Sequence, residues 1–347
     1  MVSKFKPIGL AVLSVLLSTS SEAAIFNEDN RVEVTRHPRF EAMAQATALM
    51  VIEAIDVGYT SHADGTTSLN FLKASEALSR NLCSDERFAQ QPVPVGACTG
   101  FLIAPDVLVT AGHCMLNFPP GQLRNTRPAH CSDFKWLFDY KVEPDGSVAT
   151  SKIDSTRLVS CKRVIYASWE IENLGMRDWL KGTNHDYAVV QLERPLMDRK
   201  PFSLASSFIR PGESVAVVGH PIGLPAKASA GAIVLEGDHA DFFRADLDVS
   251  DGMSGAPVVN EADEVVGILV RAYPVSDYVF DESAKCFRSN ICVSGPAPTG
   301  AESPDTRSAK TRIQCTENDD ASTIITDAPS AHIQHIAPVR ALMSNSL

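Results

Sequence analysis

Residues 98–114 read CTGFLIAPDVLVTAGHC, and the fold turns on how they are read. Two short apolar runs, GFLIAP and DVLVTA, are bounded by Pro, Asp and Gly, the punctuation that separates short β-strands. A strand ends at Thr110, Ala111 and Gly112 make a tight turn, and His113 is presented beside Cys114. A bridge between Cys98 and Cys114 ties the strand before this turn to the residue after the histidine. Such a clamp limits how far His113 can wander, which matters for any general base that needs fixed geometry.

Working outward, five more runs have the same texture: YAVVQL, SVAVVG, GAIVLEG, APVVN and EVVGILV. Many short β-rich runs at such spacing specify a sandwich or barrel. No β–α–β alternation is visible, which disfavours a doubly wound parallel sheet. A break at 201–212 divides the region into two parts of similar size. Upstream, residues 40–57 (FEAMAQATALMVIEAIDV) fit a helix running into a strand, and periodicity alone does not separate the two. Residues 58–70 read as a polar loop and 69–82 as a second helical stretch. Residues 274–330 are rich in Pro, Ser, Thr and Asp and hold three cysteines, which predicts an insertion held by disulfides. Residues 332–343 predict a closing helix, and no internal repeat is visible.

The chain has 347 residues, enough for about two domains. Its net charge of −11 argues against nucleic acid, which needs clustered Lys and Arg, and gives no attraction to an anionic membrane. Lys4 and Lys6 precede an apolar run at 8–17 and then Ser21-Glu22-Ala23-Ala24, the order of a secretory signal peptide. The run is shorter than the roughly 20 residues that span a bilayer. Removal near Ala23 is expected to leave a secreted chain with no membrane anchor. In an oxidising compartment the eight cysteines become disulfide candidates.

Two more segments carry chemistry. Asp186 opens the strand DYAVVQL, where a carboxylate can accept the Nδ1 proton of a histidine and fix its tautomer. In DVSDGMSGAPVV (248–259), Ser254 stands between Gly252 and Gly255, and an apolar strand follows. Glycines beside a nucleophile let backbone N–H groups approach a substrate oxygen, so those of Gly252 and Ser254 are the candidate oxyanion hole. Ser250 lacks that glycine frame. There is no HExxH motif, paired CxxC or phosphate loop, so no metal or cofactor is expected.

TAGHC (110–114), DYAVVQL (186–192) and GMSGAPV (252–258), in that order, resemble the His, Asp and Ser blocks of the chymotrypsin-like (trypsin-like) serine peptidases. The nearest variety is the secreted bacterial branch that includes the glutamyl endopeptidases. Asp29-Asn30-Arg31-Val32, GHPIGLP (219–225) and GILVR (267–271) fit that branch. The resemblance implies an all-β fold of two antiparallel six-stranded Greek-key barrels with the site between them. An N-terminal extension (24–79) precedes a peptidase domain (80–345), with barrels at about 90–200 and 211–345 and a short C-terminal helix. Asp29-Asn30-Arg31 favours retention of the extension over its removal as a pro-segment. The implied activity is a secreted, monomeric serine endopeptidase acting on proteins or peptides through His113, Asp186, Ser254 and an acyl-enzyme.

The family places Asp or Asn before the nucleophile, and this chain has Met253. Met253 cannot ion-pair with a new amino terminus, so no activation switch of the animal kind is expected. Asp248 stands where animal trypsins bind Arg or Lys, with Val249, Leu269 and Arg271 as the remaining candidate pocket residues and Arg271 able to neutralise the acid. Leu269 replaces the histidine of the glutamyl endopeptidases, which disfavours glutamate specificity, and His220 is expected to be a loop residue. Beyond Cys98 and Cys114, the six other cysteines allow 15 pairings. Cys131 with Cys161, and one bridge within 286–315, are preferred. A protease-like binding module without turnover is the alternative reading. An α/β-hydrolase esterase, with His332 or His335 as base, leaves TAGHC unexplained.

Overall fold

A computed structural model describes residues 25–52, 59–77, 81–94, 96–115, 131–171, 184–237, 239–272, 278–295, 312–316, 323–326 and 331–344. The signal peptide expected at 1–23 lies outside the described residues. The first barrel comprises β1 (Thr47–Ile52), β2 (Gly96–Ala104), β3 (Val107–Thr110), β4 (Phe134–Phe138), β5 (Leu158–Ile171) and β6 (Asn184–Leu192). These strands pair in the order β1-β2-β3-β6-β5-β4 and close back on β1. The second comprises β7 (Ser214–Gly219), β8 (Lys227–Glu236), β9 (Phe242–Ala245), β10 (Pro257–Val259), β11 (Val265–Ala272) and β12 (Ala331–His335). Its order, β7-β8-β9-β12-β11-β10 and back to β7, is the same Greek key. The architecture is duplicated although the sequence shows no repeat.

The strand runs are continuously apolar because both faces are covered. Val215 and Val217 of β7 point into the second barrel, while Ala216 and Val218 face the seam between the barrels. Likewise Leu108, Ala188 and Val190 fill the first barrel with Phe134, Trp136 and Phe138, and Val109 and Val189 join the seam. Helix α1 (Pro38–Gln45) starts where the His37 side chain accepts the Arg39 N–H at 3.2 Å, with Pro38 in its first turn. It packs Phe40 and Met43 into the same seam, and α2 (Ala337–Ser344) adds Val339.

Several segments differ from expectation. Residues 47–52, set apart as part of an extension, form β1 between β2 and β4, so the first barrel begins well before residue 90. Residues 58–70 contain a hairpin, Tyr59–Ser61 with Thr66–Leu69, because the threonine-rich pattern suits an extended chain. Of the helix expected at 69–82, the described residues show Ala74–Ala77 as helix, while Phe71–Lys73 is a strand paired with Pro92–Pro94. Residues 331–335 are β12, held between β9 and β11, and only the following segment is helical. Within 274–330, Tyr278–Asp281 pairs with Cys286–Ser289, and Ile291–Gly295 pairs with Arg312–Thr316. Disulfides join Cys98 to Cys114, Cys131 to Cys161, and Cys83 to Cys286, and Cys292 is also disulfide-bonded.

Two buried histidines make the fold acid-sensitive. Burial dominates at His220, and with nearby Lys227 it outweighs the bond to the Leu224 carbonyl, lowering the pKa to about 4. Burial, with Arg271 and Arg244 alongside, holds His332 well below its ordinary value. Both pKa values are depressed, so the unfolded chain takes up protons first as pH falls. The stability these two histidines contribute is therefore full above about pH 6.5 and drains away below it, by about 3 kcal/mol at pH 4 for His220 alone. The urea midpoint is expected to fall between pH 7.5 and 4.5, and more gently in His220→Gln; equal slopes in the two proteins would refute this assignment.

Candidate active site

The turn after β3 delivers His113 to the seam. Gly112 allows it: a Cβ there would lie 1.7 Å from the Ser168 carbonyl oxygen of β5, so only glycine permits the close approach. Asp186 sits near the start of β6, 1% exposed. Its Oδ1 accepts the His113 backbone N–H at 3.0 Å, and its Oδ2 lies 2.9 Å from His113 Nδ1. A carboxylate only accepts, so Nδ1 carries the proton, and Asp186 holds His113 both at its backbone and at its ring. Burial pushes the Asp186 pKa up, but His113 and then Arg271 outweigh it, and the carboxyl stays below its ordinary value. Gln334 of β12 accepts the Asp186 backbone N–H at 3.2 Å, anchoring the backbone of this residue from the second barrel.

The loop between β9 and β10 brings Ser254 to the same place. The Thr99 N–H of β2 donates to the Ser254 carbonyl at 2.8 Å, across 155 residues of chain. Cys114 Sγ lies 3.9 Å from that carbonyl oxygen. The Cys98–Cys114 bridge therefore joins the residue beside His113 to the residue beside Thr99. The sulfurs and a His113 ring nitrogen lie within 4.8 Å of one another, but oxidised sulfurs carry no thiolate for a metal. Gly252 and Gly255 both take positive φ, 84° and 90°. Met253 is buried in the second barrel core, so the loop tucks an apolar side chain inward where the family carries an acid or amide.

The candidate pocket residues are placed unevenly. Val249 and Leu269 lie in the core of the second barrel. Asp248 is fully buried, and its two oxygens accept the backbone N–H groups of Phe26 at 2.7 Å and Asn30 at 2.9 Å. Burial pushes its pKa up to about 6, with those two N–H groups pulling the other way. Arg271 acts on Asp186 and His332. His220 is 1% exposed and its Nδ1–H donates to the Leu224 carbonyl at 2.9 Å. Sequence reading missed Thr99 and Gln334, whose bonds to Ser254 and Asp186 reach across more than 140 residues and leave no local signal.

Residues 98–268 match the trypsin-like peptidase domain. Over 98 residues the chain is 33% identical to a probable periplasmic serine endoprotease, DegP-like, of Rhizobium meliloti; the match covers 25% of this chain and 19% of that protein. Among solved structures, a Glu endopeptidase is similar at 14% identity and a TM-score of 0.42, covering 76% of this chain and 91% of the other. Kallikrein-related peptidase 10 is similar at 14% identity and a TM-score of 0.37, covering 72% and 89%.

Proposed function

Residues 98–268 belong to the trypsin-like peptidase family, and from that premise we propose that the protein is a serine endopeptidase with Ser254 as nucleophile, His113 as base and Asp186 as its partner. The supporting observation is the two-point hold of Asp186 on His113, with Ser254 drawn to the same corner by Thr99. Since Asp186 engages Nδ1, Nε2 is the nitrogen that takes the Ser254 proton as Oγ attacks the scissile carbonyl carbon. The imidazolium that forms is stabilised by Asp186 and then protonates the leaving amine. Water, deprotonated by His113, attacks the acyl-enzyme; the ester bond breaks and Ser254 regains its proton. The N–H groups of Gly252 and Ser254 hold the oxyanion.

Substrates are proteins or peptides. Because Asp248 is fully buried, with one oxygen turned to the Phe26 N–H and the other to the Asn30 N–H, it is not presented to a basic side chain, and cleavage is not directed to Arg or Lys. The three bridges with both partners assigned fit an oxidising compartment after removal of the leader. No described helix is long and apolar enough to cross a membrane. Cleavage-site profiling on a peptide mixture, beside Ser254→Ala, tests both points. Cuts that vanish in the variant, with Arg and Lys before the scissile bond no more often than in the mixture, are expected. A folded protein that cuts nothing supports the binding-module reading; a strong basic preference refutes the role given to Asp248.

A further inference from the structure

The oxyanion loop has Met253 where an ion-pairing residue would order it, yet each of its peptide planes is held. The Ile222 N–H donates to the Asp251 carbonyl. In a trans peptide the C=O and N–H point in opposite directions, so pinning that carbonyl aims the Gly252 N–H the other way. The Gly252 carbonyl accepts the Thr99 hydroxyl at 2.8 Å. The Met253 carbonyl accepts the Ala256 N–H at 2.9 Å, which likewise sets the direction of the Ser254 N–H, and the Ser254 carbonyl accepts the Thr99 N–H at 2.8 Å.

Thr99 makes two of these four bonds. It is fully buried, and its Oγ1 also accepts the His220 N–H at 3.1 Å. That N–H can only donate, so the hydroxyl proton is directed to the Gly252 carbonyl, and the chain His220 N–H, Thr99 O–H, Gly252 C=O is polarised in one sense. The Thr99 carbonyl in turn accepts the Thr110 hydroxyl at 2.7 Å. The 220–224 turn closes over the loop from the other side. A Cβ on Gly252 would lie 2.7 Å from the His220 carbonyl and 2.9 Å from the Ile222 nitrogen. Ile222 takes φ 47° and ψ 23°, a left-handed conformation that is strained for a β-branched residue. The turn holds that conformation while presenting its N–H to Asp251.

We propose that Thr99, with the Ile222 turn, is the positioning device of the oxyanion hole, ordering it by hydroxyl and amide bonds in place of an ion pair at Met253. This rests on the reading of Ser254 as nucleophile. Thr99 touches no reacting atom; it pins the Gly252 and Ser254 carbonyls, whose peptide planes each adjoin, through one Cα, the plane that carries an oxyanion N–H.

The test compares Thr99→Val, which keeps the shape and removes the hydroxyl, with Thr99→Ser, which keeps the hydroxyl, in the oxidised full chain. Ser254→Ala is the control for the underlying reading. On a peptide identified by cleavage profiling, Thr99→Val is expected to lose about 10- to 100-fold in kcat with KM within twofold, since an oxyanion donor is misaimed rather than deleted. Thr99→Ser is expected to stay within threefold of the parent, and a peptide aldehyde, which forms a tetrahedral adduct, to weaken against Thr99→Val in step with kcat. A Thr99→Val protein with unchanged kcat, or a loss carried by KM, overturns the proposal. Should Thr99→Val fail to fold, Thr99→Ser decides: retention within threefold supports it and a loss beyond tenfold overturns it. Activity surviving in Ser254→Ala would instead sink the nucleophile assignment and leave these distinctions visible.

Discussion

Ser254→Ala is expected to lower kcat for peptide hydrolysis by about 10⁶-fold while KM changes little. The variant keeps everything that binds substrate. The Ser254 backbone stays held by Thr99, and the glycines around it keep their conformation. Only Oγ, the atom that forms the acyl bond, is lost, so the loss appears in turnover and not in affinity. The barrels have no reason to loosen, and the thermal midpoint is expected to stay within a few degrees of the parent. The measurement is steady-state cleavage of one peptide by both proteins, followed to low turnover by mass spectrometry. Activity within tenfold of the parent would show that another group does the chemistry.

Asp186→Asn is expected to cost about 10⁴-fold in kcat, the loss expected when a triad histidine is left in the wrong tautomer. Asp186 now accepts twice, from the His113 backbone N–H at Oδ1 and from Nδ1–H at Oδ2. An amide offers one acceptor oxygen and one NH₂. If its oxygen keeps the backbone N–H, its NH₂ faces Nδ1, which must then give up its proton. The proton moves to Nε2, the nitrogen needed as base for Ser254, and the imidazolium loses its counter-charge. Gln334 bonds to the backbone N–H of this residue and not to its side chain, so the position keeps its anchor. A kcat within tenfold of the parent would refute the assigned tautomer.

The local geometry of the candidate site was legible in the sequence because it is carried by short contiguous blocks. TAGHC encodes a strand end, a turn that only glycine permits and a cysteine clamp; GMSGAPV encodes a loop with two positive-φ glycines and the strand after it. The barrels were legible as a class, since continuously apolar short runs are what strands buried on two faces must look like. Strands whose partners lie far away were harder. The run at 47–52 carries no sign that it closes a barrel between residues 96–104 and 134–138, and 332–335 reads as helix until β9 and β11 flank it. The same holds within the site. Asp248 can be placed by its distance from Ser254, but nothing near it announces that Phe26 and Asn30 occupy its oxygens. Thr99 looks like any strand threonine, and its role exists only through bonds to residues 121 and 153 positions away.

The most direct test of the account is reaction of the oxidised protein with a fluorophosphonate, followed by peptide mapping. The expected result is one covalent adduct on Ser254, absent after His113→Ala and slowed in Asp186→Asn, because only an activated hydroxyl beside a base reacts at such a rate. No adduct on the folded protein, or one on a different residue, would contradict the claim that Ser254 is the nucleophile.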